Sequence, residues 1–238
     1  MIVKPVISVV NSFMLICYLP CLTVVYANEE QSRSEPDWWL EQEELTATDS
    51  VSEGKLRFLL EPPAKPVLHS LNRLTVLASS LDDGWINLYQ CYQNLDPVAD
   101  AEVVYRYKAM RELKIINYRN IDKAEIEGQA IQLKNVRKQA ELCVTAMVRI
   151  FYRNADSSFS LINGPFHRKF LDGYYPYHLT LEVIYPSSKL KFKQIIPVEQ
   201  PGFAVEKQTG KLHVEAVFDG ILNIEIVFLP YLSFEDDK

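Results

Sequence analysis

The stretch Ala140-Glu141-Leu142-Cys143-Val144-Thr145-Ala146-Met147-Val148-Arg149-Ile150-Phe151-Tyr152-Arg153 alternates in character from one residue to the next. Leu142, Val144, Ala146, Val148, Ile150 and Tyr152 fall on one side, and Glu141, Cys143, Thr145, Met147, Arg149 and Phe151 on the other. A period of two belongs to an extended strand, whose successive side chains point to opposite faces, whereas a helix repeats its apolar positions every three to four residues. The stretch is therefore predicted to be a strand with a core side. One strand cannot bury that side alone, so its neighbours decide the fold.

Working outward, Leu74 and Val76 alternate, Leu81-Asp82-Asp83-Gly84-Trp85 supplies a turn, and residues 85–92 resume in an extended, aromatic-rich style. Leu68, Leu71, Leu74 and Leu81 nearly match a helical period, but the Thr75-Val76 step and the Asp-Gly punctuation favour a hairpin. Further strands are expected at 102–107, 113–118, 124–133, 158–163, 178–185, 190–197, 203–207, 211–218 and 221–229. Short extended runs with no long amphipathic helix between them predict an all-β fold, an antiparallel β-sandwich of about ten to twelve strands. The last two runs, 211–218 and 221–229, are expected to form a C-terminal hairpin, in which Leu212, Val214, Ala216 and Phe218 make one row and Leu222, Ile224, Ile226 and Phe228 another. A two-residue Asp219-Gly220 loop would put these rows on opposite faces, so a bulge beside Gly220 is expected to restore the register.

Residues 1–27 do not belong to that fold. Lys4 is the only charge before Glu29, and the apolar run closes on Val25-Tyr26-Ala27 ahead of an acidic stretch, which reads as a cleaved export signal. A retained membrane anchor is the second choice, because about 20 apolar residues can also span a bilayer. The absence of Asn-x-Ser/Thr after residue 27 favours a bacterial route, with the periplasm as destination. Residues 28–66 hold ten acids against four bases and end in Pro62-Pro63-Ala64-Lys65-Pro66, an acidic, mostly disordered arm and spacer. Within it, Pro36-Asp37-Trp38-Trp39-Leu40 opens a short helix near 36–45, with Pro and acids in its first turn. The sandwich domain is expected over 67–238. Its middle is basic, since residues 101–193 contain 16 bases and nine acids.

Once the signal is removed, Cys91 and Cys143 are the only cysteines left. An even pair in an exported chain predicts one disulfide, worth roughly 3–4 kcal/mol through loop closure.

Chemistry-bearing motifs are mostly absent. GxGxxG, GxxxxGK[ST], HExxH and GxSxG do not occur, and eight glycines leave little material for phosphate-cradling loops. Neither a cofactor nor a metal is expected, because His69, His167, His178 and His213 have no second ligand at helical spacing and the cysteines fit no zinc pattern. Asp82, Asp83, Asp96 and Asp100 flank one strand and read as turn residues.

The most unusual composition is 163–178, Asn-Gly-Pro-Phe-His-Arg-Lys-Phe-Leu-Asp-Gly-Tyr-Tyr-Pro-Tyr-His. Long loops in compact domains tend to be functional, and Tyr with Arg offers wide contact at low entropy cost. His167, Arg168, Lys169, Tyr174, Tyr175 and Tyr177 are therefore the expected partner-binding residues, with an envelope protein or an anionic or saccharide surface as partner. Lys189, Lys191 and Lys193 alternate with Leu190 and Phe192, a pattern that protects an exposed sheet edge. Arg106, Lys108, Arg111 and Lys114 form another basic run. Nucleic acid is a poor candidate for an exported chain with a net charge of −6. The expected function is a non-enzymatic binding or assembly module of the bacterial cell envelope, acting through 164–178. The rival is an extracytoplasmic hydrolase, with His167, Asp172 and His178 as its catalytic group.

Overall fold

The computed structural model describes residues 54–61, 63–170 and 173–231. The expected signal, the 36–45 helix with Trp38 and Trp39, and Asp172 lie outside the described residues.

The strands are β1 (Arg57–Phe58), β2 (His69–Thr75), β3 (Trp85–Leu95), β4 (Asp100–Val104), β5 (Met110–Arg119), β6 (Lys123–Glu127), β7 (Ala130–Lys134), β8 (Ala140–Arg149) and β9 (Phe151–Arg153). They continue with β10 (Phe159–Phe166), β11 (Arg168–Phe170), β12 (Gly173–Tyr175), β13 (Tyr177–Ile184), β14 (Leu190–Ile196), β15 (Phe203–Gln208), β16 (Lys211–Asp219) and β17 (Leu222–Pro230). The only helix among the described residues is α1 (Ser80–Asp83), a single turn in the β2–β3 connection. An eight-stranded sheet runs β1-β16-β13-β2-β3-β8-β5, with β15 also on β16, and a four-stranded sheet runs β14-β17-β10-β9. A three-stranded sheet (β4-β7-β6) and the β11-β12 pair complete the sheets among the described residues. The fold is all-β, and every strand pair is antiparallel except β13 with β2.

The two larger sheets share one apolar core, to which Leu142, Val144, Leu181, Val214 and Phe218 contribute from the first and Leu161, Ile224, Ile226 and Phe228 from the second. Tyr185, just past β13, brings its ring within 4.9 Å of Phe228. Cys91 and Cys143 stand directly opposite on β3 and β8, their Cα atoms 4.1 Å apart, and form the expected disulfide.

Three expectations are corrected. The 211–218 and 221–229 runs are not a hairpin: β16 lies in the eight-stranded sheet and β17 in the four-stranded one. The chain turns a corner at Asp219-Gly220, so both apolar rows face the same core from opposite layers, and no bulge is needed to reconcile them. Gly220 holds φ 85° there, and a Cβ on it would sit 2.3 Å from the Lys55 carbonyl. A second corner follows Arg149. β9 pairs with β10 in the four-stranded sheet, so the phase reverses: Phe151 is buried while Tyr152, expected on the core side, is exposed. The run at 124–133 is two strands, β6 and β7, joined through Gly128 at φ 61°.

Part of the spacer joins the fold as well. β1 pairs Arg57 with Asp219 and Phe58 with Phe218, and the Arg57 guanidinium bonds the buried Asp219 carboxylate. At the far edge of the four-stranded sheet, β14 leaves Lys189, Lys191 and Lys193 exposed with Leu190 buried, as an edge guarded by charge requires.

Candidate functional site

The region 163–178 is not a loop but runs from the end of β10 through β11 and β12 into β13. β10 shifts register between Asn163 and Phe166, where Gly164 at φ 124° lies so close to β17 that a Cβ would meet the Leu222 carbonyl at 2.9 Å. The chain then forms the β11–β12 hairpin, pairing Arg168 with Tyr175 and Lys169 with Tyr174. Arg168 donates from Nε to Asp96 Oδ2 at 3.0 Å and from a second nitrogen to Oδ1, a two-pronged anchor of the hairpin to the β3–β4 connection. Its guanidinium lies 5.6 Å from the Tyr175 ring centroid, and the Lys169 ammonium lies 5.4 Å from that of Tyr174.

The six expected partner-binding residues divide into two groups. Arg168, Lys169, Tyr174 and Tyr175 are half-buried and reach the surface. His167 and Tyr177 are buried, the first edge-on to Tyr174 at 5.8 Å and the second against Phe218 at 5.5 Å. Burial, helped by the positive charges of Arg106 and Lys169, pushes the His167 imidazole down to about 4. Tyr92, Tyr105, Tyr107, Tyr177, Gln90 and Asn163 line a cavity of about 40 Å³, with Arg106 and Phe166 among its other lining residues. Burial raises the hydroxyls of all four tyrosines above their ordinary range, which keeps them neutral hydrogen-bonding groups.

A second constellation lies on the outer face of the eight-stranded sheet. The parallel pairing of β13 with β2 sets His178 opposite His69, and the antiparallel pairing of β13 with β16 sets Thr180 opposite Glu215 and Glu182 opposite His213. The two imidazoles stack with centroids 4.1 Å apart and planes 16° from parallel. His178 Nε2 contacts Glu215 Oε1 directly, and Thr180 Oγ donates to Glu215 Oε2 at 2.8 Å. His69 Nε2 lies 2.9 Å from the same Thr180 oxygen, while its Nδ1 lies 3.2 Å from Gln93 Oε1. Burial and the facing His178 hold the His69 imidazole below its usual value. Burial alone would raise the Glu215 carboxyl, but the bonds from His178 and Thr180 outweigh it and keep that group low. Further along the row, Glu182 takes Arg73 at 2.7 Å and Lys211 at 2.9 Å.

Sequence reasoning missed His69, Thr180 and Glu215 as a group. The one trace they leave is alternation, His-x-Thr-x-Glu at 178–182 and His-x-Glu at 213–215. That pattern tells which residues face outward but not that β2 lies beside β13, since the partners His69 and Thr180 are 111 positions apart.

Of the group named for the rival hydrolase, Asp172 lies outside the described residues, and the two histidines stand apart. His167 packs against Tyr174 under the hairpin, His178 stacks on His69 across the sheet, and the two share no contact. The aspartates also go separate ways: Asp83 caps the Trp85 amide at 2.9 Å, Asp96 holds Arg168, and Asp100 pairs with Lys134. Among the described residues no helix is long and apolar enough to cross a membrane. No protein-family model matches the chain, and comparison with curated proteins finds no relative.

Proposed function

We propose that this protein is an exported, non-enzymatic binding module of the bacterial cell envelope that grips an anionic partner with the 168–175 hairpin and the basic residues beside it. One observation carries the reading. Arg106 lines the cavity walled by Tyr92, Tyr105, Tyr107 and Tyr177, and Lys169 lies 5.4 Å from the Tyr174 ring centroid, so two cations far apart in the chain each stand beside aromatic groups. Arg168 pairs with Asp96 and thereby fixes the hairpin, while exposed Arg106 and half-buried Lys169 have no carboxylate partner among the described residues. Tyr174 and Tyr175 add flat contact surface. The Cys91–Cys143 bridge fits an oxidising compartment and so supports export. The partner is an envelope protein or an anionic saccharide of that compartment.

The test measures binding to isolated cell-envelope fractions. Arg106→Ala combined with Lys169→Ala and Tyr174→Ala is expected to weaken binding at least about tenfold and to flatten its salt dependence. Lys191→Ala with Lys193→Ala, on the edge strand, should leave it unchanged. Equal loss from both sets would show a non-specific charge effect and remove the hairpin from the proposal.

A further inference from the structure

We infer that His69, His178 and Glu215 form a binding site for a zinc-class divalent cation, with three protein ligands and one coordination position left to solvent. The nitrogen and oxygen donors of the three residues all lie within 4.8 Å of one another, and each residue is half-buried. Ideal tetrahedral zinc with bonds of about 2.0–2.1 Å places its ligand atoms about 3.3 Å apart. The present separations run from a direct His178–Glu215 contact up to that 4.8 Å limit, so modest side-chain rotations reach the required spacing. Two imidazoles and one carboxylate suit zinc and its transition-metal neighbours; calcium and magnesium prefer an all-oxygen set.

Three features distinguish this group from a chance meeting of polar side chains. The ligands stand on three consecutive strands of one sheet, β2, β13 and β16, whose ladders hold them in register. A supporting shell is present as well. Gln93 Oε1 lies 3.2 Å from His69 Nδ1, and in the tautomer that donates to it the Nε2 lone pair turns into the cluster; Thr180 orients the carboxylate, as second-sphere partners do in metal sites. Finally, when His69 carries its proton on Nδ1, the Thr180 hydroxyl proton given to Glu215 leaves His69 Nε2 facing an oxygen. A cation between His69, His178 and Glu215 satisfies that lone pair and the carboxylate together.

The experiment uses the full chain without an affinity tag, titrated with Zn²⁺ by calorimetry and checked by competition with a coloured chelator. One equivalent is expected to bind. His69→Ala and His178→Ala should each weaken binding well beyond about tenfold, and Gln93→Ala by about tenfold. Glu215→Gln keeps the shape of its side chain and guards against loss through misfolding; each variant must also melt like the parent in chelator. If a variant fails that check, the Co²⁺-loaded parent decides, because strong visible bands of a four- or five-coordinate centre support the site and a weak hexaaqua-like spectrum overturns it. Absence of stoichiometric uptake, or equal affinity in the His69→Ala/His178→Ala double variant, also overturns it. The hairpin variants that test partner binding leave these ligands intact, so either proposal can fail alone.

Discussion

The inner and outer faces of the eight-stranded sheet come from the same strands one residue out of phase, yet different physics holds each. Inside, Leu179, Leu181 and Val183 of β13 lie against Leu212, Val214, Ala216 and Phe218 of β16, all with almost no exposure. What counts there is apolar area removed from water, which is insensitive to salt and largely indifferent to which aliphatic group supplies it. Outside, His178, Thr180 and Glu182 meet His69, Arg73, Glu215 and Lys211 in directed pairs, and the Cys91–Cys143 bridge crosses the same face. There each contact depends on geometry, charge or redox state. The lesson is that a strand's outward phase holds whatever selection can specify one pair at a time, while its inward phase holds what it can specify only in bulk.

The largest expected effect comes from the one covalent tie on the outer face. Replacing both Cys91 and Cys143 by Ala should lower unfolding free energy by about 4 kcal/mol, because the bridge joins residues 52 apart in the chain. Urea denaturation of oxidised parent and double variant measures it. A loss below about 1 kcal/mol would mean that the β3–β8 ladder already constrains the unfolded chain, and the contrast between covalent outside and apolar inside would weaken. Next comes Leu181→Ala, on the inner face with 0% exposure, expected to cost about 3 kcal/mol from lost burial and the cavity left behind. That cost should be the same at low and high salt.

Where sequence and structure agree, and where they part, follows from the same division. The core rows of β8 and β16 are legible because period two is local: each residue's face depends on its immediate neighbours. The corners after Arg149 and at Asp219-Gly220 are not. A strand that leaves one layer for the other keeps its alternation in sequence, and only the partner it acquires shows that the core has changed sides, as Phe151 and Tyr152 illustrate. The disulfide was legible from the count of cysteines, its register from nothing local. For the candidate site, the 163–178 composition marked the segment that holds the β11–β12 hairpin, but burial of His167 and Tyr177 depends on how the hairpin folds back. The His69–His178–Glu215 group stayed hidden because it needs a parallel crossover pairing that alternation alone does not reveal.

Buried histidine gives the third test. The folded-state value for His167 is about 4, below the ordinary 6.5, so between those values the unfolded chain binds a proton that the folded one refuses. Stability should therefore fall as pH drops through that window, by a little over about 1 kcal/mol per pH unit from this group. His167→Phe, which keeps a ring beside Tyr174, should remove that part of the slope. Among the described residues, the charges that act on His167 are those of Arg106 and Lys169. If the slope is unchanged in the variant, the imidazole is not sealed inside.

The smallest effect belongs to the outer face and separates it most cleanly from the interior. Bonds from Lys211 and Arg73 hold the Glu182 carboxyl below its ordinary 4.5. Its contribution to stability is therefore complete above that ordinary value and is lost as pH falls through the lowered one, the reverse of the His167 window. Arg73 and Lys211 remain 45% and 41% exposed, so solvent screens both pairs and Glu182→Gln should cost about 1 kcal/mol or less. At about pH 5.5 the two groups can be told apart, since His167 is already drawing stability down while Glu182 is still fully ionised. High salt supplies the second axis. It should shrink the Glu182→Gln deficit towards zero and leave the Leu181→Ala deficit where it stood, because ions screen charges at the surface and do not enter the apolar layer. Equal salt dependence in the two variants would mean that Glu182 acts by packing, and the outer face would then owe its order to the same cause as the inner one.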